Sequence, residues 1–263
     1  MGILKKKAGI KMASFSKDQQ GFSWKINGKA VVSTLRLMGI GSFIVFALIA
    51  TTAVNFLNAK WGYRMEALDG FWSGVIAGIS MLLMAVPFVI SANYGQHYKL
   101  IFHLPMQASS VPVQMLSIVD LIHAVHIILD FFILLFFGYS MEVILIKAIA
   151  DLLLAVLSVL VLYISVRISF APTSTAGKVV AGALGFLCYI FSVAISAGAA
   201  TMIESHQDVI RENRIPCIVV LCVSTVILII ITERVYKGVK NCVRLTKKYK
   251  GQKKKNELEA SYV

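Results

Sequence analysis

Residues 116–139 read LSIVDLIHAVHIILDFFILLFFGY, and residues 141–166 read MEVILIKAIADLLLAVLSVLVLYISV. Each stretch reaches the roughly 20 apolar residues that a helix needs to cross a bilayer. The two are separated by a single residue, so they predict a helical hairpin with a tight turn near residues 138–141. Because a backbone in lipid must satisfy its own hydrogen bonds, this pair indicates an all-α membrane protein.

Four further stretches have similar length and composition, at residues 37–58, 71–92, 179–202 and 215–232. The composition of the whole chain also indicates a membrane protein, since 58% of its 263 residues are hydrophobic and only 15% are charged. Its mean hydropathy is +0.78. Soluble domains carry about 25% charged residues, so a soluble globular enzyme and a disordered chain are both excluded. We therefore expect an integral membrane bundle of six transmembrane helices.

The charged ends divide the chain into three predicted parts. Residues 1–36 form a basic cytoplasmic or interfacial N-terminal segment, in which Phe15, Phe22 and Trp24 alternate with polar residues as in segments lying at headgroup depth. Residues 37–236 form the six-span domain, and residues 237–263 form a basic cytoplasmic tail. The last helix either continues into this tail as a basic amphipathic stretch or ends in a plain flank. From Lys250 the polar composition predicts disorder.

The basic residues also predict the orientation. With both termini in the cytoplasm, 21 of the 26 Lys and Arg residues lie in cytoplasmic segments, four lie outside and Lys147 lies within a span. The positive-inside rule favours this arrangement. The net charge of +13 is then explained by contact with anionic lipid. Nucleic acid is not an expected partner, because no basic element is interleaved with stacking aromatic residues.

The third span carries four ionisable residues, spaced so that they share one helix face about 120° wide. These residues are Asp120, His123, His126 and Asp130. Charged groups in a bilayer are costly and usually face protein or water. The pattern fits either a metal or proton path or a polar seam inside the bundle. We expect the seam, with the histidines lining a cavity and no metal bound, because a tetrahedral site needs further ligands.

The fourth span carries Lys147 and Asp151. Across the predicted hairpin, Asp130 lies about 12 Å and Lys147 about 9 Å below the outer end, at 1.5 Å per residue. Asp130 and Asp151 both lie where they could neutralise Lys147, which would be costly to bury alone, and we expect Asp130 or Asp151 to do so. These residues complete the predicted intramembrane polar face.

The fifth span opens with small residues at four-residue spacing, Gly177, Ala181 and Gly185. Such a stripe lets another helix approach closely. It predicts packing within the bundle or, as the alternative, a dimer face. Residues 172–179, PTSTAGKV, superficially resemble a phosphate loop. Pro172 and Val179 stand where that motif needs a small residue and a Ser or Thr, so we expect no nucleotide site in this chain.

The connection between the second and third spans is apolar and patterned. Tyr98, Leu100, Leu104 and Pro105 are followed by a small and polar run at residues 109–114, and this outline resembles the cytoplasmic element of short bacterial permeases of the ABC-2 type. The six spans, the cytoplasmic ends, the basic segment before the first span and the short outer segment at residues 204–214 are similar to that family as well.

The resemblance implies a permease subunit of an ATP-driven exporter in the plasma membrane. It implies that Tyr98, Leu100, Ile101, Leu104 and Pro105 form the coupling element that docks on cytoplasmic ABC ATPase subunits. Those partners would bind ATP and Mg²⁺, and a second permease, identical or different, would complete the path. The substrate would be hydrophobic or amphipathic, such as a peptide, an antibiotic or a lipid. The chain itself would not be an enzyme, and it lacks a recognisable protease or lipid-transferase signature.

The alternative is a stand-alone ion- or proton-coupled secondary transporter. It would use the Asp and His residues of the third span and work without an ATPase. Its rate would be sensitive to acid, because histidine is the side chain that titrates near neutral pH.

Overall fold

The computed structural model describes residues 36, 39–61, 78–79, 81–96, 110–170, 175–205 and 214–260. These residues form six helices and, within the described ranges, no strand. The helices are α1 (Gly41–Lys60), α2 (Leu82–Gln96), α3 (Ser110–Phe136), α4 (Met141–Phe170), α5 (Thr175–Ser205) and α6 (Arg214–Ala260). The all-α class predicted from the sequence is therefore confirmed.

Five of these helices, all except α2, are long and apolar enough to cross a membrane. The described part of α2 has 15 residues, about 22 Å at 1.5 Å per residue, which is less than a bilayer core. Most of the earlier half of its predicted span, residues 71–77, lies outside the described residues. The structure thus establishes an α-helical membrane bundle, whereas the count of six spans stays a prediction.

The bend between α3 and α4 follows from one glycine. Gly138 has a φ of 73°, in the left-handed region that side chains disfavour. The N–H of Tyr139 bonds to the carbonyl of Leu134, and the N–H of Gly138 bonds to that of Leu135, each at 3.0 Å. This is the Schellman arrangement that ends helices, and it returns the chain antiparallel within four residues.

The helices alternate in direction between two ends of the bundle. One end, which we call the hairpin end, contains the α3–α4 turn, and there Ala59 of α1, Leu134 of α3, Val143 of α4 and Ile203 of α5 form a buried cluster. At the other end, Ile44, Tyr94, Met115, Val166 and Val239, from α1, α2, α3, α4 and α6, belong to one larger core.

That second end also carries most of the described basic side chains, and we call it the basic end. These side chains are Arg36, Arg167, Lys178, Arg234, Lys237 and Lys240. Tyr163 and Tyr236 lie beneath Arg167 and Lys240, with the cations 5.7 and 5.9 Å from the ring centres. Aromatic and basic residues concentrate in this way where a bundle meets the lipid headgroups.

Helix α4 is the centre of the bundle and packs against α2, α3, α5 and α6. Half of its most apolar stretch is buried, compared with 11% for α5 and for α6. Gly238 of α6 allows one of these contacts, because a Cβ there would meet the Tyr163 ring of α4 at 2.5 Å. The outward faces of α5 and α6 are apolar, as expected of surfaces that meet lipid or another membrane helix.

The expectation of disorder from Lys250 is wrong. Helix α6 continues to Ala260 and crosses the predicted domain boundary at residues 236–237 without interruption. Its last residues, QKKKNELEA, are mostly strong helix formers without proline, and this local preference outweighs their lack of an apolar face. The N-terminal segment 1–35 lies outside the described residues, and the domain boundaries remain predictions.

Candidate functional site

A buried polar cluster lies between α1, α3 and α4, toward the hairpin end. It contains Asn55 of α1, His126 and Asp130 of α3, and Lys147 and Asp151 of α4. Asp130, His126 and Asp151 are each at most 3% exposed. Lys147 lies six residues into α4, which places the cluster roughly 10 Å from the turn and inside the apolar layer.

Asp130 is the centre of the cluster. The side-chain amide of Asn55 lies 2.9 and 2.7 Å from its two oxygens, and Lys147 Nζ lies 2.7 Å from Oδ2. His126, one helical turn earlier on α3, approaches the same Oδ2 at 3.6 Å. Three helices therefore direct polar groups at one carboxylate, which suits a charge that cannot reach water.

Lys147 bridges the two carboxylates. It is 2.7 Å from Asp130 across the hairpin and 2.5 Å from Asp151 one turn further along α4. Both pairs predicted from the depth of the residues are present. The i,i+4 spacing places Lys147 and Asp151 on the same face of α4, and the antiparallel turn sets Asp130 beside them.

The predicted polar face of α3 is divided in the structure. His126 and Asp130 join the cluster, whereas His123 shares a 2.6 Å hydrogen bond with Ser158 of α4, which itself donates to Met84 Sδ of α2 at 3.1 Å. Asp120 is half-buried nearer the basic end, and its Oδ2 has no described partner. One helix face thus serves two separate polar contacts with α4.

Asn55 is the member of the cluster that sequence reasoning missed. A signal existed, because it is an amide within an otherwise apolar span. Nothing in the residue spacing of α1 indicates which helix Asn55 faces. Its partner, Asp130, follows only from the packing of α1 against α3.

A second contact holds α1 to the hairpin. The Tyr139 hydroxyl, in the turn, donates to the carbonyl of Ala59 at 2.8 Å. The end of α1 is therefore fixed to the same unit that carries Asp130.

Two atoms of the cluster remain without a described partner. His126 Nδ1 and Asp151 Oδ2 are buried and make no hydrogen bond within the described part of the chain. One ligand atom from each of His126, Asp130 and Asp151 lies within 4.8 Å of the others, a spacing that a metal ion can bridge. Lys147 already supplies positive charge to both carboxylates, and a metal cation there would face its ammonium group.

The small-residue stripe lies on the inner side of α5. Gly185 is buried, and a Cβ there would meet the Phe88 ring of α2 at 3.2 Å. Gly177 and Ala181 are half-buried along the same side. Gly182, one position from this stripe, has nothing within 4 Å of its Cβ position.

The predicted coupling residues Tyr98, Leu100, Ile101, Leu104 and Pro105 lie outside the described residues. The chain on either side of them is described. Tyr94 of α2 donates a 3.0 Å hydrogen bond to Gln114 Oε1 of α3, and both side chains are buried at the basic end.

Comparisons with models of protein families, with curated proteins and with solved structures find no significant match for the chain.

Proposed function

We propose that the chain is the permease subunit of an ATP-driven exporter of the ABC-2 type. It crosses the plasma membrane six times with both termini in the cytoplasm, and it works beside a second permease above two cytoplasmic ATPase subunits. ATP and Mg²⁺ bind to those ATPases, and this chain is not an enzyme. The exported substrate is hydrophobic or amphipathic, such as a peptide, an antibiotic or a lipid.

The main support for this proposal is the position at which the connection between α2 and α3 joins the bundle. The buried Tyr94–Gln114 hydrogen bond ties the two flanks of the connection together at the basic end. The chain therefore ends α2 and begins α3 on that side. The sequence that connects the two helices is apolar, and apolar patches on a protein surface usually mark a contact site.

The charges support the assignment of the basic end to the cytoplasm. Described basic side chains concentrate there, and Lys60 and Glu142 are the charged residues beside the outer ends of α1 and α4 at the hairpin end. By the positive-inside rule the connection then faces the compartment that holds ATP.

The position of α4 supports a mechanism. Closure of the ATPases pushes on the connection, which joins α2 to α3, and both of these helices pack against α4. Helix α4 also contacts α5 and α6, so a displacement at the basic end reaches every helix except α1 through one central element. The largely exposed α5 and α6 supply surface for lipid or for the second permease.

Leu104→Asp tests the proposal. We expect normal insertion and abundance, lower recovery of the ATPase in mild detergent and loss of transport. Ser109→Asp is the matched control, because it adds the same charge to the same connection at a polar position. Full recovery of the ATPase with Leu104→Asp would contradict the coupling role.

A second candidate is favoured by the buried cluster, namely a secondary transporter driven by an ion or proton gradient. Ionisable groups inside a bundle often mark ion pathways. This candidate requires transport by the purified chain alone in vesicles, driven by an imposed gradient without ATP.

A further inference from the structure

The polar cluster contains one more carboxylate than it has ammonium groups. Asp130 and Asp151 both contact the single ammonium of Lys147. The charged or titratable groups that act on these carboxylates, among the described residues, are Lys147, His126 and the two carboxylates themselves. When His126 is neutral, the cluster has a net charge of −1. Its two carboxylates, Asp130 and Asp151, are at most 3% exposed.

An uncompensated charge at this depth is unfavourable. Insertion scales assign about 2.5–3.5 kcal/mol to a single charged residue in the middle of a membrane helix, and removal of a counter-charge from a buried pair is strongly destabilising. The described neighbours on α1 offer the amide of Asn55, which donates hydrogen bonds but brings no charge. Among the described residues no further group supplies the missing unit of positive charge, and a bound cation or proton would supply it.

The two atoms of the cluster that lack a described hydrogen-bond partner can each bind a proton. Asp151 Oδ2 and His126 Nδ1 are buried without a described partner, and Nε2 of the same histidine faces Asp130 at 3.6 Å. A proton on His126 creates an imidazolium beside Asp130. A proton on Asp151 Oδ2 leaves Oδ1 free to accept from Lys147. Both arrangements make the cluster neutral.

We propose that the cluster binds one exchangeable proton, shared between His126 and Asp151, and that this proton is part of the folded bundle. The proton belongs to the coupled group rather than to one residue. The inference does not depend on whether ATP or a gradient drives transport, so its failure would leave the proposed function unaffected.

A metal ion fits the same atoms less well. Both oxygens of Asp130 already accept hydrogen bonds from Asn55, and Oδ2 also contacts Lys147. Hard cations need about six oxygen ligands, which the described cluster does not offer. A divalent ion would also convert the net charge from −1 to +1.

The test is the pH dependence of thermal unfolding of the purified full chain in detergent, in sodium-free and metal-free buffer. A proton held by the folded cluster and released on unfolding adds stability that is lost as pH rises. Over the pH range in which the folded cluster loses this proton, the equilibrium constant for unfolding of the wild type should rise by up to about tenfold per pH unit, because one proton is involved.

Asp151→Asn should abolish this part of the pH dependence, because the remaining Lys147–Asp130 pair is neutral without a proton. Asp130→Asn leaves the neutral Lys147–Asp151 pair and should do the same, so either variant that folds suffices. Glu233→Gln on α6 is the control, because this carboxylate is exposed, pairs with Lys237 and lies outside the cluster, and it should keep the wild-type dependence at neutral and alkaline pH. Wild-type dependence in either cluster variant that folds would overturn the proposal. So would stabilisation of the wild type by sodium or zinc that is absent in Asp151→Asn, since it would identify a metal cation as the ligand.

Discussion

The side-chain amide of Asn55 on α1 contacts both carboxylate oxygens of Asp130 on α3, at 2.9 and 2.7 Å. The two residues are 75 positions apart in the chain. This contact ties the first helix to the α3–α4 hairpin in the interior of the bundle. The Tyr139–Ala59 hydrogen bond makes the same connection nearer the hairpin end.

Asn55→Leu should therefore loosen α1 from the hairpin. The substitution keeps the size of the side chain but leaves Asp130 with fewer donors, at a cost of about 1–3 kcal/mol for a buried polar group. Thermal unfolding in detergent measures the loss. The control is Asn93→Leu on α2, because the hydrogen bond described for Asn93 stays within its own helix, to the carbonyl of Val89. Equal destabilisation by both changes would contradict a special role for Asn55.

Lys147→Met should be one of the most damaging single substitutions in the bundle. It leaves two buried carboxylates without their counter-charge, and removal of one partner of a buried ion pair costs about 3–5 kcal/mol. The double change Lys147→Met with Asp151→Asn should recover part of the loss, because a single carboxylate then remains beside His126. Membrane abundance and unfolding of the single and double variants measure this coupling.

The control for that pair is Lys178→Met. Lys178 is exposed at the start of α5, so its replacement should leave the stability nearly unchanged. If Lys147→Met and its double variant accumulate to the same level, the pairing has no energetic role.

Much of the fold can be predicted from the sequence, because a segment that crosses a bilayer as a helix must be apolar and about 20 residues long. Apolar length identified the helices, and the tight turn after α3 set Asp130, Lys147 and Asp151 at matching depths. The pairing of Lys147 could thus be predicted from rise per residue alone.

The sequence predicts less well which helices lie side by side and which of their faces meet. Residues on one helix face can meet different neighbours, which is why His123 contacts Ser158 whereas His126 joins Asp130. The role of Asn55 depends on the packing angle of α1, and an apolar span of uniform composition does not specify that angle. The polar composition beyond Lys250 predicts disorder, whereas the helix propensity of the same residues continues α6 to Ala260.

Gly238→Ala tests the packing of α6 on the central helix. A Cβ there would lie 2.5 Å from Tyr163 Cε2, so the ring must shift or the helices must separate. Overpacking of this kind typically costs about 1–3 kcal/mol. Gly182→Ala is the matched control, since its Cβ would enter open space and alanine is the better helix former. A Gly238→Ala protein that is as stable as the control would show that the α4–α6 contact yields easily.

The orientation predicts protection of the C-terminal tail. A protease-cleavable tag after Val263 should resist protease added to intact cells and be cut once the membrane is opened. The same tag within residues 204–214 should be cut in intact cells, which controls for access of the protease. Cleavage of the C-terminal tag from outside would reverse the assignment of the basic end to the cytoplasm.

Identification of the protein that co-purifies with this chain in mild detergent tests the central claim most directly. We predict an ATPase that carries its own phosphate loop, recovered in equal amount with the permease subunits and lost with Leu104→Asp but retained with Ser109→Asp. A chain that purifies without an ATPase, and that transports solute in vesicles when only an ion gradient is imposed, would contradict the assignment to an ATP-driven exporter.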